Sequence, residues 1–153
     1  MEAFLLAAHV LGGILFVGPV AVAASLFPRY VPLAPGAPTS DRHPAGERSP
    51  RVAGALHRIT RVYGLLGLAV PIIGLALAFV QGRVGEVWIT VAMIVTALAG
   101  ALLAFRIVPA QAAALAEPPV RISRLGMLAG VFNLMWAAVV ILMVVRPGSD
   151  YVG

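Results

Sequence analysis

The chain has no cysteine and no lysine, and charged residues make up only 11% of its 153 positions, against about 25% in an ordinary soluble domain. Without cysteine, disulfides, thiolate metal sites and cysteine nucleophiles are excluded. Without lysine, the glycine loop that cradles phosphates and ends in a lysine is excluded as well. The six carboxylates, Glu2, Asp41, Glu47, Glu86, Glu117 and Asp150, all lie outside the long apolar runs. No buried acid is therefore available for a proton relay. Ser25, Ser40, Ser49 and Ser123 have no histidine and carboxylate at motif spacing, and no GxSxG elbow occurs. The sequence offers no catalytic constellation, and its best reading is not an enzyme.

What is present is apolar. Hydrophobic residues make up 61% of the chain, more than one soluble core of this size can hide. They fall into four runs, about 3–27, 60–80, 87–108 and 122–145. Each matches the ~20 residues a helix needs to cross the bilayer, and in lipid each must satisfy its own backbone, which favours helix over strand. The predicted fold is all-α: a polytopic membrane protein, an antiparallel bundle of four transmembrane helices in a single domain. Ala21-Val22-Ala23 resembles a signal-peptidase site, but the run is long and no basic residue precedes it, so it reads as a retained first span.

A sequence pI near 11.1 raises nucleic acid as a partner, and the placement of charge argues against it. The arginines flank helix ends instead of forming a stripe along one face. Arg29, Arg42, Arg48, Arg51, Arg58 and Arg61 lie between the first and second runs, and Arg106, Arg121 and Arg124 between the third and fourth. Only Arg83 and Arg146 lie on the other side. The positive-inside rule then puts both termini outside (N-out/C-out) and both arginine-rich connections in the cytoplasm. The connection 28–55 holds six of the twelve prolines and is expected to be an irregular cytoplasmic loop. The connection 81–86 is short, so helices two and three are neighbours. The alanine-rich stretch 110–117 extends helix three past the membrane until Pro118-Pro119 stops it.

Inside the spans, small and polar residues decide helix contacts. Gly126, Gly130, Asn133 and Ala137 share one face of helix four, and Thr96, Gly100 and Ala104 one face of helix three. Thr96 and Asn133 both fall near the midplane and are predicted to form a hydrogen bond; the alternative is that they line a substrate path. Pro71 has no N–H for the carbonyl of Gly67, so helix two is expected to kink there, and Gly18-Pro19 to kink helix one. His9 lies ~9 Å inside the outer end of helix one. It is either a packed histidine bonded to a carbonyl or Thr90, or a ligand to b-type haem or copper, with Met93 or Met143 opposite. Arg58, Arg61, Arg106 and Arg124, with His57 and Tyr63, gather at the cytoplasmic mouth. There they anchor the bundle by snorkelling, or hold lipid phosphates or another anionic group.

Two stretches carry a resemblance. The first is His9-Val10-Leu11 with Val17-Gly18-Pro19-Val20 and Ala23-Ala24-Ser25-Leu26-Phe27-Pro28-Arg29; the second is Leu56-His57-Arg58 with Arg61-Val62-Tyr63-Gly64 and Ala69-Val70-Pro71. Together they resemble a family of small, uncharacterised integral membrane proteins common in high-GC actinobacteria. That family is distantly similar to the copper-resistance protein D membrane domain and to HemJ-type protoporphyrinogen oxidases. The resemblance implies a multi-pass protein of the bacterial cytoplasmic (inner) membrane, and lends weight to His9 as a haem or metal contact with Arg29 nearby. The HemJ type carries an important lysine that this chain lacks, so the oxidase activity does not transfer. The expected role is an accessory subunit or scaffold of a membrane assembly, alone or as a homo-oligomer. The alternatives are a haem- or copper-binding protein using His9, and a small-solute or lipid transporter.

Overall fold

The computed structural model describes residues 1–37 and 48–148. Four helices account for most of them: α1 (Glu2–Tyr30), α2 (Pro50–Val80), α3 (Val87–Ala116) and α4 (Ser123–Val145). All four are long and apolar enough to cross a membrane, and no strand occurs among the described residues. Their outward faces are as apolar as their seams: Phe4, Ile72, Leu134 and Val144 are 68–77% exposed. Such surface is stable only against lipid.

The expected irregular loop 28–55 is corrected at both ends. α1 runs through Pro28 to Tyr30, and α2 begins at Pro50, ten residues before the expected start of the span. Ser49 explains the second difference. It is the N-cap of α2, its hydroxyl accepts from Val52 N–H at 3.4 Å, and Pro50 follows at the first helical position. There its missing donor costs nothing and its fixed φ suits the helix. The guanidinium of Arg48 donates to the carbonyls of Pro28 (3.2 Å) and Val31 (2.8 Å), closing the exposed end of α1. Pro38, Pro44 and the rest of 38–47 lie outside the described residues.

Each of the first three helices carries an internal proline, and each is distorted beside it. A wide π-turn spans Gly13–Val17 ahead of Pro19, and another spans Leu103–Ile107 ahead of Pro109. In α2 the helix is interrupted at Gly67-Leu68, and the Gly67 carbonyl, denied the N–H of Pro71, accepts from Val70 N–H at 3.1 Å. α4 contains no proline and is unbroken. α3 reaches Ala116, and Glu117 turns extended before Pro118-Pro119.

α1 packs along both halves of α2 and, through its second half, on α4; α3 packs on α4. α2 meets α3 mainly at the arginine-rich end, while its second half leans on α1 and barely touches α3. One buried cluster joins Val20, Ala24, Ala99, Leu103, Ala129 and Phe132; a second, at the arginine-rich end, joins Phe27, Val31, Ala53 and Ala114. The ring of helices is thus closed on three sides and parted on the fourth.

Candidate functional site

The parted side holds a cavity of about 450 Å³, within the size range of small-molecule sites. α2 contributes Gly64, Gly67, Leu68 and Pro71, the residues of its own break. α3 contributes Met93, Thr96, Ala97, Gly100 and Ala101. Phe16, Val17 and Val20 of α1 form the back, and Phe132 and Trp136 of α4 the far wall. Leu68 and Phe105 are 53% and 76% exposed on either side of the gap, so the mouth opens sideways, toward lipid. The helices close again where Gly64 faces Leu103: a Cβ at Gly64 would stand 2.8 Å from Leu103 Cδ2. The lining is apolar with three polar handles, the hydroxyls of Tyr63 and Thr96 and the indole of Trp136. Trp136 Nε1 is buried with no hydrogen-bond partner, and its ring stands edge-on to Phe132 with centroids 6.4 Å apart.

The predicted Thr96–Asn133 hydrogen bond does not form. Asn133 Nδ2 donates instead to Ser25 Oγ of α1 at 2.8 Å, and Ser25 Oγ donates in turn to the Ala21 carbonyl at 2.7 Å. The reason is rotational. Phe132 and Trp136 of α4 face the cavity with Thr96, which turns Asn133 toward the α1 seam. Asn133 Oδ1 remains buried without a partner.

His9 lies on the α1–α2 seam and does not line the cavity. Its Nδ1 is 2.9 Å from the carbonyl of Val70. A carbonyl only accepts, so Nδ1 carries a proton and donates it to Val70. The ring sits where a side chain at position 74 would be: a Cβ on Gly74 would stand 2.6 Å from His9 Cε1 and 2.9 Å from Nδ1. One turn along, a Cβ on Gly12 would meet Val70 Cγ2 at 3.2 Å. A histidine fixed through Nδ1 to a carbonyl is the usual posture of a ligating histidine, and equally that of a packed one. Met93 lines the cavity; Met143 lies near the end of α4, its carbonyl accepting from Arg146 Nε at 3.3 Å. Among the described residues no three His, Cys, Asp or Glu converge as a metal site. Of the expected ligand set, His9 thus stands on the α1–α2 seam, Met93 in the cavity wall and Met143 near the end of α4.

At the arginine-rich end, His57 Nδ1 is 3.2 Å from Oε1 of Gln111, a residue only 1% exposed, and this pair ties α2 to the tail of α3. Arg58, Arg61, Arg106 and Arg124 are all exposed there. None of the four makes an ion pair or side-chain hydrogen bond among the described residues. The opposite end differs. Arg83 pairs with Glu86 at 3.6 Å, Arg146 lies 5.8 Å over the Trp88 ring, and Gln81 bonds Glu2 at 2.6 Å.

Sequence reasoning missed Ser25 as the partner of Asn133, Gln111 as that of His57, and the role of Gly74 as the seat of His9. Only Gln111 left a signal, an amide in an otherwise alanine-rich stretch. Comparison of the chain with protein-family models, with curated proteins and with solved structures finds no match.

Proposed function

We propose that this multi-pass membrane protein binds an apolar, bilayer-dissolved molecule that enters sideways between α2 and α3. The cavity carries this reading: it is built by all four helices, opens to lipid, and combines an apolar wall with three polar handles, as ligand sites do. Of the roles expected from sequence it comes nearest to the lipid or small-solute transporter. The protein supplies its own reporter. With Trp88→Phe, Trp136 is the only indole left, and it lines the site. In bilayers of dibrominated lipid, bromine on a chain inside the cavity quenches Trp136. Gly100→Leu fills the space without meeting backbone, because a Cβ at Gly100 has nothing within 4 Å. Quenching is expected to fall at least twofold in Gly100→Leu; unchanged quenching would overturn the reading.

One observation favours a second role, as a scaffold or homo-oligomer. Cβ atoms at Gly126 and Gly130 would meet nothing within 4 Å, so this GxxxG step of α4 is not packed inside the chain. Met127, 62% exposed beside them, tests it in a chain with no native cysteine. Met127→Cys should cross-link in membranes more than Phe105→Cys on the cavity rim, and equal yields would sink the idea.

A further inference from the structure

We infer that the ligand of the α2–α3 cavity is an anionic phospholipid, with its chain between the helices and its phosphate held at the arginine-rich end by Arg61 and Arg106. The inference rests on the cavity being a ligand site and adds what selects the ligand. On α2, Arg61 stands one turn before Gly64 on the same face, and Gly64 lines the cavity. On α3, Arg106 directly follows Phe105, the exposed aromatic at the rim. Neither arginine lines the cavity itself; both are exposed at its arginine-rich end, one turn from Gly64 on α2 and next to Phe105 on α3, the end at which Tyr63 lines it.

The charge around them is unbalanced. The two connections on this side carry nine arginines against three acids, Asp41, Glu47 and Glu117. Arg61 and Arg106 have no ionic partner among the described residues, whereas Arg83 and Arg146 at the other end are engaged by their own chain. A planar guanidinium presents paired N–H donors that match phosphate oxygens, and two of them from different helices can share one phosphate. Snorkelling alone also explains arginines at helix ends. It predicts no head-group preference at the cavity, and none tied to these two arginines.

The test uses full-length Trp88→Phe protein in nanodiscs of unbrominated phosphatidylcholine. These are doped with a small fraction of either dibrominated phosphatidylglycerol or dibrominated phosphatidylcholine, and Trp136 quenching is read. The anionic lipid is expected to quench at lower mole fraction, by roughly fivefold per arginine. Arg61→Gln with Arg106→Gln should bring the two lipids level. Arg61→Lys with Arg106→Lys, which keeps the charge and guards against a folding defect, should retain most of the preference. The pair Arg29→Gln with Arg121→Gln removes the same charge from α1 and from the α3–α4 connection, neither of which forms the rim, and should leave the preference intact. Equal quenching by both lipids, still abolished by Gly100→Leu, overturns the head-group inference and leaves the cavity reading standing. Equal losses from the two glutamine pairs also overturn it, because the attraction would then belong to the whole surface. Quenching indifferent to Gly100→Leu overturns the cavity reading itself.

Discussion

Gly74→Ala is the sharpest probe of the seam between α1 and α2. The new Cβ would stand 2.6 Å from His9 Cε1 and 2.9 Å from Nδ1, closer than carbon atoms approach without repulsion. The imidazole is short and held at Val70 O, so it cannot swing aside and keep its 2.9 Å hydrogen bond. Overpacking of this kind costs about 1–3 kcal/mol, and an interhelical hydrogen bond lost in lipid adds about 0.6 kcal/mol or more. The higher helix propensity of alanine returns up to about 1 kcal/mol. The expected net loss is ~1–3 kcal/mol, read as a shift in reversible unfolding with denaturing detergent. Gly100→Ala is the control: it has open space beside it and should be neutral or slightly stabilising. The decisive measurement is a double-mutant cycle. His9→Ala removes the obstacle, so Gly74→Ala should cost little in that background, giving a coupling of about 1 kcal/mol or more. Additive effects, or a Gly74→Ala protein as stable as the parent, would refute the packing argument.

Three further outcomes follow from other contacts. Ser25→Ala should destabilise by roughly 0.6–2 kcal/mol, because it leaves both polar atoms of Asn133 unpaired, and the Ser25→Ala/Asn133→Leu double variant should recover most of the loss in the same assay. Pro71→Ala restores the N–H denied to the Gly67 carbonyl and should straighten α2; spin labels on cysteines placed at Leu65 and Phe79, both exposed, should move apart, and an unchanged distance would assign the bend elsewhere. His9→Ala should lower Trp136 quenching by brominated lipid although His9 does not line the cavity, and unaltered quenching would separate the seam from the site.

The spans were legible because hydropathy is a local property: each run meets the length of the bilayer without help from the rest of the chain. The prolines were half legible. Pro71 and Pro19 announce their distortions through the donor each lacks, whereas Pro50 falls inside the expected loop although Ser49-Pro50 is a helix-start signature. The partner of Asn133 was not legible. Depth placed it beside Thr96, but the rotation of α4 placed it beside Ser25, and rotation depends on which helices are neighbours. The seat of His9 needed the register between α1 and α2 before Gly74 could be recognised as its hole. The cavity was the least legible feature of all. It lies where α2 and α3 fail to meet, and a missing contact leaves no pattern in either helix.

The bend in α2 and the histidine are best understood as one device. The break at Gly67-Leu68 releases the second half of α2 from the line of the first, and something must decide which way it leans. Gly12 and Gly74 give α1 and α2 two close approaches on that half, and His9 fills the second while bonding Val70, next to Pro71. These contacts hold the second half of α2 against α1, and the same lean parts it from α3. A half-buried imidazole in a membrane helix ordinarily suggests a ligand or a proton path. Here its geometry gives it work without either, since fastening the bend is what keeps the opposite side open. A polar group is well suited to that task in lipid, where apolar packing between helices competes with equally apolar chains and a single directed hydrogen bond can set the register.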